Sequence, residues 1–195
     1  MRVLVIYAHP VADSFCAALH SKTLEALGRA GHEVRDLDLY AIDFQPVLTR
    51  QERIDYDDPA LNTRNIEDHV AHIRWAEALL FVYPTWWYGL PAILKGWLDR
   101  VWVPEVTFHM PVGNQPIRPA MTHIRKIGGI STYGAPWWWT RVVGDPGRRT
   151  LMRGIKPLCH KKCRTLWLAH YKMDSSTPVS RAAFLKKVER AIERF

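Results

Sequence analysis

The stretch YPTWWYGLPAILKGWLDRVW, residues 83–102, decides the fold. It begins where an apolar run, ALLFVY at 78–83, ends. That run has the length and composition of a strand buried on both faces. The stretch closes in an amphipathic helix, with Leu94, Trp97, Leu98 and Val101 at helical spacing and Pro91 suited to the first turn. Between strand and helix stand three consecutive aromatics, Trp86, Trp87 and Tyr88. So much aromatic surface on an exposed loop is unfavourable without a partner. A flat aromatic ligand, a subunit interface or a local hydrophobic plug would cover it.

The same strand-then-helix alternation extends in both directions. Residues 2–7 (RVLVIY) predict a buried first strand. A helix over 13–30 follows, capped by Asp13 or Ser14, with Phe15, Leu19, Ala26, Leu27 and Ala30 on one face and Gly31 as its stop. Residues 33–39 predict a second strand. Residues 40–65 are polar, turn-rich and long for a loop, which predicts a short helix or a functional role. Ile66, Val70 and Ile73 predict a helix over 66–77. Residues 104–125 are irregular, with room for a short hairpin. Residues 126–131 (KIGGIS) and 164–170 (RTLWLAH) predict the fourth and fifth strands, and 144–162 a basic segment that turns helical at its end. Thr177 and Pro178 start a last helix, with Phe184, Val188, Ala191 and Phe195 on one side. Five strands with intervening helices predict a doubly wound parallel α/β sheet, order 2-1-3-4-5, with helices on both faces. Without repeat, linker or low-complexity tract, one domain over 1–195 is the expectation.

Composition narrows the function. Half of the chain, 48%, is hydrophobic, enough for a real core. No apolar run approaches the roughly 18 residues that a membrane span requires. The N-terminal apolar run is too short for a signal peptide and suits the first strand better. Cys16, Cys159 and Cys163 form no pairing pattern, as expected of reduced thiols in the cytoplasm. Cys159 and Cys163 have i,i+4 spacing on an expected helix, but further ligands for a metal are lacking. Net charge is +8 with a pI near 9.6. The basic residues are densest at Arg148-Arg149 and Lys161-Lys162 and accompany no nucleic-acid recognition motif; an anionic dinucleotide suits them equally.

A sheet of this kind binds ligands beyond the carboxyl ends of its strands, at the switch point, which here means loops 8–14, 84–90 and 131–140. The first, AHPVADSF, runs into a helix N-terminus. There the free amides and the helix dipole favour a phosphate, with Ser14 adding a hydroxyl and His9 a ring N–H. An ordinary capped helix would look the same. The absence of GxGxxG disfavours a Rossmann-type dinucleotide site. The third loop offers Ser131, Thr132, Tyr133 and Gly134 and a second aromatic block, Trp137, Trp138 and Trp139, which would equally suit dimer packing.

At these loops the chain resembles the NAD(P)H:quinone oxidoreductases of the flavodoxin-like fold. The resemblance rests on AHPVADSF (8–15), DLYAIDFQPVLTRQE (38–52) and above all the 83–102 stretch, and covers about residues 1–135. It implies a homodimeric flavoprotein that passes a hydride from NAD(P)H to a quinone-like acceptor by a ping-pong mechanism. His9, Ser14, Phe15 and Cys16 would hold the flavin phosphate end. Pro84, Thr85, Trp86, Trp87 and Tyr88 would line the ring, with Ser131, Thr132, Tyr133 and Gly134 opposite. FAD is favoured over FMN by the 38–52 match. Two positions depart from the family pattern. Cys16 replaces a common Asn, and the loop after the fourth strand, STYGAPWWWTRVVG, lacks the His that assists hydride transfer. Tyr133, Trp137 and Trp138 therefore become the candidate wall of the acceptor pocket, with the chemistry left to the flavin. The alternative is a non-catalytic flavin subunit that senses redox state for a potassium-efflux system. A one-electron carrier of the flavodoxin type is disfavoured, because such carriers are acidic.

Overall fold

The computed structural model describes all 195 residues. In chain order its elements are β1 (Arg2–Tyr7), α1 (Phe15–Arg29), β2 (Glu33–Asp38), α2 (Arg50–Asp55), α3 (Glu67–Trp75), β3 (Ala78–Pro84), α4 (Ala92–Val101), β4 (Phe108–His109), β5 (Arg118–Pro119), β6 (Lys126–Thr132), α5 (Trp137–Val143), α6 (Pro146–Arg149), a π-helical turn (Thr150–Ile155), β7 (Arg164–His170) and α7 (Pro178–Ile192). β2-β1-β3-β6-β7 form one parallel sheet. The α/β expectation is met, with one correction. The short antiparallel ribbon β4–β5 intervenes in the chain outside the main sheet, so the order counted over all strands is not 2-1-3-4-5.

Strand alternation divides the core in two. Leu4, Ile6, Leu79, Phe81 and Tyr83 face α3 and α4 and pack with Ile73, Leu94 and Trp97. Val3, Val5, Leu80 and Val82 face α1 and α7 and pack with Leu19, Leu27, Phe184 and Val188. At about 25 cal/mol per Å² of apolar surface removed from water, these two layers are the main force holding the sheet between its helices. Ser14 caps α1 by accepting from the Ala17 amide at 3.1 Å. Thr177 caps α7 with a reciprocal bond from Ser180. The expected short helix in 40–65 is α2, closed by a Thr49–Glu52 capping box.

Three expectations need correction. Residues 131–140 are not all loop, since α5 begins at Trp137. The 144–162 segment is helical at its start and middle and not at its end, because Pro157 interrupts the backbone bonding and Cys159 is extended. Cys159 and Cys163 therefore do not share a helix, and both thiols are buried. Phe195 lies beyond the end of α7.

Residues 40–49 are pressed onto α4 at Gly96. A Cβ there would stand 2.1 Å from the Pro46 carbonyl oxygen. Gly96→Ala is therefore expected to destabilise the protein by about 1–3 kcal/mol through overpacking. Urea denaturation checks this, and an unchanged midpoint would contradict the packing.

Candidate flavin site

The three loops singled out in the sequence meet at the carboxyl edge of the sheet. The His9 and Trp86 rings lie 6.0 Å apart, joining the first loop to the second. Thr85 donates its amide to Thr132 O at 2.8 Å, and the Thr85 and Ser131 hydroxyls are 2.9 Å apart, joining the second to the third. Phe15 meets His170 edge-on at 5.4 Å, and the Tyr133 amide donates to His170 O at 2.8 Å, so the end of β7 closes the circle.

The second loop is the most unusual backbone in the chain. Gly89 donates its amide to Trp86 O at 3.0 Å, closing a four-residue turn. Its central residues, Trp87 and Tyr88, have φ of 48° and 62°. This is the type I′ pattern, which favours Asn and Gly and is strained for aromatic side chains. Two bonds brace it. The Gly147 amide donates to Tyr88 O at 3.3 Å, and Trp139 Nε1 donates to Tyr88 Oη at 2.9 Å. The strained turn leaves the Trp87 and Tyr88 amides without a partner in the chain. A cavity of about 230 Å³ opens beside them, lined by Thr85, Trp87, Tyr88, Tyr133, Gly134 and Ala135. The Gly134 amide is also free.

At the first loop the Val11 amide donates to His9 Nδ1 at 3.0 Å, so the proton of the neutral ring sits on Nε2. Burial holds the His9 pKa below its ordinary value, which keeps that ring neutral. The amides of Phe15 and Cys16, first on the 15-residue helix α1, have no partner in the chain. Free amides at a helix N-terminus are of the kind that suits an anion.

Not every expected side chain reaches this space. The Cys16 thiol is buried in the core beneath α1 and its pKa is pushed up to about 12 by burial, so only its amide faces the helix end. Tyr133 is 1% exposed and donates its hydroxyl to Asp145 Oδ1 at 2.9 Å. Its hydroxyl is thus held in the interior and not offered to an acceptor. Ser131 and Thr132 are buried, while Trp86, Trp87, Trp137, Trp138 and Trp139 are exposed. Pro84 ends β3, and Ser14 is occupied as the cap of α1. Sequence reasoning missed Asp145, Gly147 and His170. Gly144-Asp145-Pro146 carries a turn signal, and His170 stands at a strand's carboxyl end, so both had a usable cue.

These residues fit a flavin. The free turn amides and Gly134 are donors suited to a ring's polar edge, the exposed tryptophans offer flat apolar surface, and the α1 amides suit a phosphate. No group of three or more His, Cys, Asp or Glu stands together to hold a metal ion.

The family model for the flavodoxin-like fold matches residues 1–190. The chain belongs to this flavodoxin-like family. Within it, the chain is 37% identical over 118 residues to a ribosyldihydronicotinamide dehydrogenase-like protein of Penicillium crustosum, covering 52% of this chain and 44% of that one. It is 31% identical over 126 residues to the human ribosyldihydronicotinamide dehydrogenase [quinone], covering 56% of this chain and 54% of that protein. The chain thus spans about half the length of the curated relatives it matches. Among solved structures, Smu.1420 of Streptococcus mutans aligns over the whole of both chains with a TM-score of 0.86 at 27% identity. The NAD(P)H:quinone oxidoreductase of Methanothermobacter marburgensis gives 0.81 at 24% identity over 100% of this chain and 96% of that one, a likeness of fold. The resemblance to quinone oxidoreductases read from the sequence therefore holds for this member of the flavodoxin-like family.

The turn makes a specific prediction. Trp87 is 95% exposed, so replacing it with Gly removes backbone strain and little packing. Trp87→Gly is expected to raise the stability of the flavin-free protein by about 0.5–1 kcal/mol while weakening flavin binding. Loss of stability on denaturation would contradict the strained geometry.

Proposed function

We propose that the chain is a flavin-dependent NAD(P)H oxidoreductase that reduces quinones or similar flat aromatic acceptors. The single observation that carries this reading is the braced turn at Trp86–Gly89, whose free amides face a cavity walled by the loop after β6. A bound flavin would supply the two-electron relay between nicotinamide and acceptor. The chain's residues supply the rest. The Trp87, Tyr88 and Gly134 amides are the donors placed to bond the ring's polar edge and to stabilise negative charge there. The Phe15 and Cys16 amides, with His9 Nε2, anchor the phosphate end. Exposed Trp86, Trp87 and Trp137–Trp139 offer apolar faces on which nicotinamide and acceptor stack in turn, as a ping-pong cycle requires.

The buried, hydrogen-bonded Tyr133 positions the loop and does not carry a proton. Burial and the neighbouring Asp145 hold its hydroxyl well above the usual tyrosine range. The 38–52 match favours FAD. The azoreductase of Bacillus anthracis described in complex with FMN shares 16% identity, which supports the fold and a flavin rather than either form. The tryptophan-rich surface of α5 also suits a second copy of the chain. Three free, buried thiols favour the cytoplasm, and no helix is long and apolar enough to cross a membrane.

The test is direct. The purified protein is expected to bind flavin and to sustain NAD(P)H-dependent menadione reduction. Mass analysis of the released flavin separates FAD from FMN. A folded protein that refuses both flavins would overturn the reading, and flavin binding without turnover would favour a sensing role.

A further inference from the structure

We propose that the pocket between the 141–156 segment and β7 is a binding site for a phosphate group, separate from the flavin loops. The cavity measures about 210 Å³ and is lined by Arg141, Arg148, Arg149, Arg153 and Lys156, with Asp145 as the one acid. Five cations in a wall of that size repel one another, and the repulsion persists unless an anion answers it.

The chain does not answer it. None of the five lies within 4.0 Å of a carboxylate, although Lys22, Arg29, Arg53, Lys95 and Arg100 elsewhere all do. Asp145 gives one oxygen to Tyr133 and leaves the other without a partner. One N–H donor of the lining residues, Arg148 Nε, is buried and also lacks a partner. Buried donors without acceptors are rare in native proteins and call for a missing ligand or water. The backbone adds a further sign. Arg153 rides on the π-helical turn Thr150–Ile155, a form that is uncommon and concentrates at functional sites.

The chemistry selects the occupant. Arginine forks match tetrahedral oxyanions in bidentate fashion, and a doubly charged phosphoryl group answers more of the surplus charge than a carboxylate. The concave shape and small volume suit one or two phosphoryl groups and exclude a duplex. The phosphate could be free or carried by the reducing dinucleotide. The second source rests on the proposed function, whereas the site itself does not.

Arg149 and Arg153 are exposed, so replacing them spares the core. Inorganic phosphate titrated into the purified protein by calorimetry, at matched ionic strength, is expected to bind saturably. Arg149→Gln and Arg153→Gln should each weaken it by about tenfold, the value of one charge-assisted hydrogen bond. Lys161→Gln with Lys162→Gln should leave it unchanged. Absent phosphate binding in the wild type, or equal binding in the arginine variants, overturns the site whether or not the protein turns over quinone. If the same arginine variants raise KM for NADPH about tenfold and KM for NADH less than twofold, the phosphate is the substrate's 2′-phosphate. If both KM values stay put while phosphate binding falls, a free phosphate ligand occupies the site.

Discussion

Trp87 and Tyr88 hold backbone conformations that cost L-residues about 1–2 kcal/mol each, and the site depends on their being held there. Neither residue is intrinsically suited to the place. The Trp139 indole and the Gly147 amide clamp Tyr88 from the far side, 51 and 59 residues along the chain. Gly147 packs closely here, and a Cβ at that position would lie in van der Waals contact with Gly89 and the Tyr83 hydroxyl. The strain leaves two amides without partners in the chain, beside exposed aromatic faces, and such donors are what a flavin's polar edge requires. α5 and α6 thus act as a brace for the ligand loop as well as part of the fold.

The brace continues into the interior. Asp145, 3% exposed and itself in the left-handed region, receives the Tyr133 hydroxyl, and the Tyr133 amide is fixed by His170. One carboxyl group therefore ties the loop after β6 to the segment that clamps the turn after β3. The same segment carries the uncompensated arginines. The two cavities have no lining residue in common and are joined by the Tyr133–Asp145 hydrogen bond.

Much of this was legible in the sequence. The central strands β1 and β3 followed from continuous apolar runs, because a strand buried on both faces leaves no alternation to confuse. Ser14, Gly31, Thr177 and Pro178 marked helix ends by local chemistry. The three ligand loops followed from the sheet's topology. What the sequence concealed was long-range. The side-chain directions of Cys16 and Tyr133 depend on which face of helix or loop the core claims, and the bonds from Trp139, Gly147 and Asp145 join distant segments with no local signature. The start of α5 at Trp137 was hidden because three tryptophans in a row read as loop surface, not as a helical turn with its aromatic faces outward.

The central claim is that three segments distant in sequence sandwich one flavin at the edge of the sheet. Hydrogen–deuterium exchange on the flavin-free and flavin-saturated protein tests it most directly. The account predicts simultaneous slowing in residues 8–16, 84–90 and 131–135, with α2 and the β4–β5 ribbon unchanged. Protection confined to one of these segments, or found elsewhere, would contradict it.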